Sequence, residues 1–242
     1  MPNDLIQLYG DTPIPTGIPG LDEMIDGGFV PYTVAALISE VGTGRTTFAM
    51  QYLYEGLRNG ESCLYVSMTH TTARLKQRFV TLYPETEGYL DSRLHFFKLD
   101  TNKFDSFSYY LGNRIPELIR TLGVSRLVID TLTMYENLLS GSPGFPDLFI
   151  YRFYVALKSE KCTSLIIVSS DPANPLRTKL GLSEKFADTT MFMFREFPDH
   201  DYLRPYRTIF LVLKSRFRSH SHVGKLVEYG DLGQLSLVRP DP

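Results

Sequence analysis

Between residues 39 and 47 the chain reads Ser39-Glu40-Val41-Gly42-Thr43-Gly44-Arg45-Thr46-Thr47, a spacing suited to gripping a phosphate tail. Gly42 and Gly44 allow the backbone to curl until successive N–H groups converge into an anion nest. A helix starting near Arg45 adds its positive end. Thr46 offers a hydroxyl to magnesium, and Thr47 offers a second one toward an α-phosphate. The standard pattern is Gly, four residues, Gly-Lys, then Ser or Thr. Here Ser39 stands at the first Gly and Arg45 at the Lys. Arginine keeps the charge but replaces a compact ammonium with a wide planar fork. Binding then survives with altered geometry, while transition-state alignment suffers, because phosphoryl transfer depends on positioning.

Such a loop needs a strand before it and a helix after it. The apolar run Val34-Ala35-Ala36-Leu37-Ile38 supplies the strand, and Thr46 to Leu53 opens the helix, expected over about 45–58 before Asn59-Gly60. Further strands are expected at Leu64–Ser67, Leu94–Phe97, Leu127–Asp130 and Ser164–Val168. Helices are expected from Thr71 or Thr72 through Phe79, over 106–122, and over about 147–159. Strands apolar throughout, alternating with helices, predict an α/β fold with a mainly parallel central sheet covered on both faces. After about residue 188 three strands follow without long helices between them, predicting an antiparallel C-terminal extension. Residues 1–16, with Pro2, Pro13 and Pro15, read as an irregular N-terminal segment, and 1–242 as one domain.

Composition narrows the function classes. With 242 residues, 43% hydrophobic and 21% charged, the chain has ample material for a buried core. A net charge of −2 gives no global electrostatic case for nucleic acid. Cys63 and Cys162 both fall in apparent core strands, too few for a zinc site or a disulfide scaffold. Reduced, buried thiols suit a cytoplasmic protein. No run of about 18 apolar residues suggests a membrane span, and the first residues lack the basic and apolar regions of a signal peptide.

Four motifs occur in order: Pro15-Thr16-Gly17-Ile18-Pro19-Gly20-Leu21-Asp22-Glu23, the loop at 39–47, Leu127-Val128-Ile129-Asp130-Thr131-Leu132-Thr133, and Leu213-Lys214-Ser215-Arg216-Phe217-Arg218. Together they resemble the RecA/KaiC/RadA superfamily, most closely its single-domain archaeal KaiC-like proteins, over roughly residues 12–238. The resemblance implies a RecA-like P-loop core that binds ATP or ADP with Mg. Thr46 and Asp130 would serve the metal, Asp130 through a bound water. Gly42, Thr43, Gly44, Arg45, Thr46 and Thr47 would hold the phosphates. It also implies that Lys214 and Arg216 reach the γ-phosphate bound by a neighbouring subunit, so that nucleotide bridges a homo-oligomer and stabilises it by linkage. Close RadA-type relatives tolerate Glu at this position, which implies that Glu40 faces outward.

One departure bears on chemistry. Members of this superfamily carry two acidic residues just after the second strand, where they orient or deprotonate the attacking water. Here that stretch is Val66-Ser67-Met68-Thr69-His70, without a carboxylate. Thr69 cannot act as a base. His70, with an ordinary pKa of about 6.5, is the one substitute base at hand, although an exposed loop histidine is the plainer reading. Glu136 reads as a surface or packing residue. The expectation is a nucleotide-binding, regulatory or assembly subunit that is a pseudo-ATPase or a very slow ATPase, with an unidentified protein partner. Two alternatives remain: an active RecA-like ATPase with a substitute base, and a recombination accessory protein that binds single-stranded DNA. DNA is not the expected partner. Of the two loops that would contact it, 140–146 has no basic residue, and 171–179 has only Arg177 and Lys179.

Overall fold

The computed structural model describes residues 12–99, 109–140, 146–197, 203, 205–231 and 233–240. Nine strands form one sheet in the order β3-β2-β4-β5-β1-β6-β7-β8-β9. These are β1 (Val34–Ser39), β2 (Cys63–Ser67), β3 (Leu94–Lys98), β4 (Arg126–Asp130), β5 (Thr163–Ser169), β6 (Thr189–Glu196), β7 (Arg207–Ser215), β8 (Lys225–Tyr229) and β9 (Leu235–Val238). The helices are α1 (Arg45–Arg58), α2 (Thr72–Leu82), α3 (Ile115–Leu122), α4 (Thr133–Ser140), α5 (Pro146–Ser159) and the short α6 (Leu182–Phe186).

The strands β1 to β5 are parallel, as their continuous apolar runs predict. The antiparallel extension starts one strand later than expected. β6 pairs parallel with β1, Ser39 opposite Met193, and only β7, β8 and β9 run antiparallel. The reason lies in the connection 170–188, which runs from the level of Ser39 back to that of Val34, with α6 near its end, before β6 begins. β9 and α6 are too short to carry a periodic signal, and the sequence reading missed both. The expected helix at 106–122 is described from Tyr110, as a π-turn over Tyr110–Arg114 leading into α3. Its first residues, and most of the 140–146 loop, fall outside the described residues.

Two cores flank the sheet. Ala35 and Leu37 face the layer of α1 and α2, while Val34, Ala36 and Ile38 face α3, α4 and α5. With every residue of β1 buried, Leu37→Ala would cost about 2–5 kcal/mol. The loop that follows β1 is therefore anchored on a strand buried along its whole length.

The Pro15–Glu23 motif fastens the chain's two ends to α1. Thr16 donates through its amide and its hydroxyl to Asp22, at 3.0 and 2.6 Å. Gln51 on α1 donates to the carbonyls of Gly17 and Leu235. Gly20 has φ +84°, and a Cβ there would lie 2.1 Å from the Leu237 oxygen, so only glycine fits. Beneath this motif the fully buried Arg126 donates to both Glu61 oxygens (2.8 and 2.9 Å) and to the carbonyls of Pro15 and Tyr52. Removing the Glu61 carboxylate would strand that cation, at a cost of about 3–5 kcal/mol.

Candidate phosphate-binding site

The loop 40–44 leaves the carboxyl end of β1 and turns into α1, the position where open α/β sheets bind ligands. Gly42 and Gly44 have φ of +87° and +82°, the left-handed region that glycine enters without strain. Gly44 directly precedes the first turn of α1, whose free N–H groups need an acceptor. The Thr43 hydroxyl closes the turn by donating to the Glu40 carbonyl at 2.8 Å.

Two residues that the sequence reading missed pin this loop. Arg195, near the end of β6, donates from Nη2 to the Val41 carbonyl at 2.7 Å, and its amide donates to Glu40 Oε2 at 3.0 Å. The Glu40 carboxylate is thereby turned toward β6. Tyr229, at the end of β8, donates its hydroxyl to the Thr43 carbonyl at 2.8 Å. Neither contact is legible locally, because each joins residues more than 150 positions apart in the chain.

The hydroxyl and carboxylate expected to serve magnesium do meet. Thr46 Oγ1 donates to Asp130 Oδ2 at 3.1 Å, across 84 residues of sequence. Tyr65 on β2 donates to the same oxygen at 2.6 Å, an orienting partner that the sequence reading also missed. Burial and the adjacent Asp130 charge hold the Tyr65 phenol well above its usual pKa, so it remains a donor. A hydroxyl and a carboxylate are hard oxygen donors that suit Mg2+, which keeps several waters and completes its shell with phosphate oxygens. No group of three or more His, Cys, Asp or Glu is placed to hold a metal among the described residues.

Arg45 extends from the start of α1 to the end of β5, where Nη1 donates to Ser169 Oγ at 2.8 Å. Ser39, at the position of the first glycine, is fully buried, and its hydroxyl has no partner among the described residues. A cleft of about 250 Å³ opens above the loop, between Gly42, Gly44, Thr46 and the α2 residues Arg74 and Arg78. Arg45, Thr47 and the half-buried His70 complete its walls. The backbone N–H of His70 donates to Ser67 Oγ at 2.9 Å, fixing the turn into α2. A wider hollow of about 690 Å³ continues from the same glycines over β7 and β8, past Tyr206, Thr208 and Tyr229.

Lys214 and Arg216 lie elsewhere. Lys214 pairs with Thr190, which pairs with Ala36, so it sits three residues below Ser39, about 10 Å down the strand axis. Lys214 Nζ donates to the Glu184 carbonyl, and Arg216 donates to the Lys185 carbonyl at 2.8 Å, both at α6. The fold does not bring this pair to the chain's own loop. Partial burial, reinforced by Arg216, lowers the Lys214 pKa to about 8. Glu136 is also away from the cleft. It is buried against α6, where its carboxylate accepts a 2.8 Å hydrogen bond from Ser183 Oγ. The packing half of its expected role stands, and the surface half is corrected.

Comparisons with known proteins agree with this fold. A solved structure of a KaiC-like protein from Pyrococcus horikoshii OT3 superposes with a TM-score of 0.75, covering 93% of this chain and 98% of that one at 22% identity. A UPF0273 protein from P. horikoshii is 26% identical over 169 residues, 64% of this chain and 67% of its own length. The circadian clock protein KaiC2 of Synechocystis is 28% identical over 153 residues, where the match spans 62% of this chain but only 26% of KaiC2. Among the described residues no helix is long and apolar enough to cross a membrane. The family described as "ATPase: KaiC" matches residues 14–233. That span runs from the Thr16–Asp22 clasp through the glycine loop to β8, and with it the chain belongs to the KaiC ATPase family.

Proposed function

We propose that this chain is a one-domain subunit that binds ATP or ADP with Mg2+ at the 39–47 loop and hydrolyses it slowly or not at all, so that bound nucleotide regulates assembly instead of being consumed. Family membership supports the nucleotide. The observation that carries the rest is the make-up of the cleft, where a glycine cradle and Thr46 are in place but no carboxylate lines the walls among the described residues. Glu40 is turned toward β6, Asp130 is engaged by Thr46 and Tyr65, and residues 69 and 70 are Thr and His. General base catalysis contributes about 10²–10⁴-fold to such reactions, so its loss is sufficient for very slow turnover. The adjoining hollow beside Tyr206 and Tyr229 has room for a base and ribose. Lys214 and Arg216 lie at α6, away from the chain's own loop, and the resemblance in which this pair serves a neighbouring subunit's nucleotide supports a homo-oligomer bridged by nucleotide.

The test pairs calorimetric titration of Mg·ATP with a phosphate-release assay on the same preparation, and sedimentation with and without Mg·ATP. Binding with negligible release, and assembly that Lys214→Ala abolishes, is the expected result. Robust release abolished by Asp130→Ala sinks the reading. Release that also vanishes in His70→Ala establishes the second reading, favoured by the place of His70 in the cleft wall, in which histidine replaces the missing carboxylates.

A further inference from the structure

The cleft carries a charge imbalance that the loop alone does not explain. Arg74 and Arg78 are four residues apart on α2 and so share one face of the helix. Both line the cleft above the loop, together with Arg45. Arg78 Nη2 donates to Thr47 Oγ1 at 3.1 Å, which places its guanidinium beside the first turn of α1. Arg74 stands one turn nearer the amino end of α2, toward His70. Among the described residues neither arginine has a carboxylate partner, although ion pairs are common elsewhere on this surface, as at Lys76–Asp91 and Arg114–Glu117. No acidic residue lines the cleft. Three arginines lining one cleft beside a helix start that already presents positive charge make that cleft strongly positive, a field that an anion bearing several charges relieves.

The geometry points to a specificity device. We propose that Arg74 and Arg78 clasp the tail from within the same chain, Arg78 at the inner phosphates beside Thr47 and Arg74 toward the terminal group, so that Arg74 makes the site select a nucleoside triphosphate over a diphosphate. Guanidinium forks suit this task, since they bind phosphate oxygens in pairs and keep their charge at every accessible pH. The consequence is a subunit that reads the triphosphate state without consuming it. The device rests on the nucleotide reading above and extends it by naming what distinguishes one nucleotide from another.

The experiment measures affinities for Mg·ATP, Mg·ADP and Mg·tripolyphosphate by calorimetry, in the intact protein, Arg74→Gln and the Arg74→Gln/Arg78→Gln double variant. Arg74 is exposed, and its one described hydrogen bond is from the backbone N–H to Thr71 Oγ1, which Gln keeps, so Arg74→Gln is expected to melt as the parent does without ligand. The expected result is a preference for ATP over ADP that falls about tenfold in Arg74→Gln, the factor one charge-assisted hydrogen bond supplies. In the double variant the affinity for both nucleotides falls further, with a shallower salt dependence of binding. An ATP to ADP ratio in Arg74→Gln equal to the parent's overturns the clasp and leaves nucleotide binding standing. Tripolyphosphate binding that needs both arginines, in a protein that binds neither nucleotide, supports the clasp and sinks the nucleotide reading. No binding of any of the three probes overturns both.

Discussion

The guanidinium of Arg45 is joined to the hydroxyl of Ser169, over 2.8 Å, linking the first residue of α1 to the last residue of β5. Ser169 in turn donates its amide to Thr133 Oγ1 at 2.7 Å, and Thr133 shares a 2.7 Å hydrogen bond with Thr131, next to Asp130. The residue in the lysine position is thus wired into the strand ends that carry the metal-side carboxylate. A lysine ammonium is compact and could not bridge with the same fork.

Restoring that lysine should therefore change binding more than chemistry. Arg45→Lys is expected to retain Mg·ATP binding within about tenfold and to leave phosphate release near background, because no base is restored. Adding Thr69→Glu and His70→Glu to Arg45→Lys should raise release by about 10²-fold or more, if placed carboxylates are what the cleft lacks. A phosphate-release time course on the single and triple variants checks this, and turnover restored by Arg45→Lys alone would refute it.

Gly44 has a conformational and a steric requirement. Gly44→Ala places a side chain at φ +82°, at a cost of about 1–2 kcal/mol, and sets its Cβ 2.5 Å from the Tyr229 hydroxyl. The variant is expected to melt several degrees lower and to lose the melting shift given by Mg·ATP. Tyr229→Ala in the same chain should recover part of the stability but not the shift, because the backbone strain remains. Thermal scans of the three proteins separate the two contributions.

Glu136 gives the molecule a pH dependence. Burial raises its carboxyl from the ordinary 4.5 to about 7, aided by the nearby Glu184 charge and opposed by the hydrogen bond from Ser183. Between those values the native state holds a proton that the unfolded chain has released. Stability therefore falls as pH rises through that window, by up to about 3 kcal/mol, and is level above it. Glu136→Gln keeps an acceptor for Ser183 and removes the titration. Denaturant midpoints from pH 5 to 8 should decline in the parent and stay flat across this contribution in the variant.

Most of the architecture was legible in the chain itself. Val34 to Ile38 and Leu165 to Val168 are apolar without alternation because both faces of their strands are covered, and this identified a parallel sheet directly. Gly42, Gly44 and Thr46 announced the cradle, since their conformational freedom and hydroxyl chemistry are local properties that spacing alone displays. The sequence likewise determined that residues 69 and 70 carry no carboxylate. Tertiary structure decided the rest. It brought Arg195 and Tyr229 onto the loop, set Tyr65 on Asp130, turned Glu40 toward β6, and placed Arg74 and Arg78 over the cleft with Lys214 and Arg216 at α6. Those outcomes depend on which strand lies beside which, and on the level at which each strand ends. Strand order and register arise from contacts between residues far apart in the chain, whose energies no local window contains.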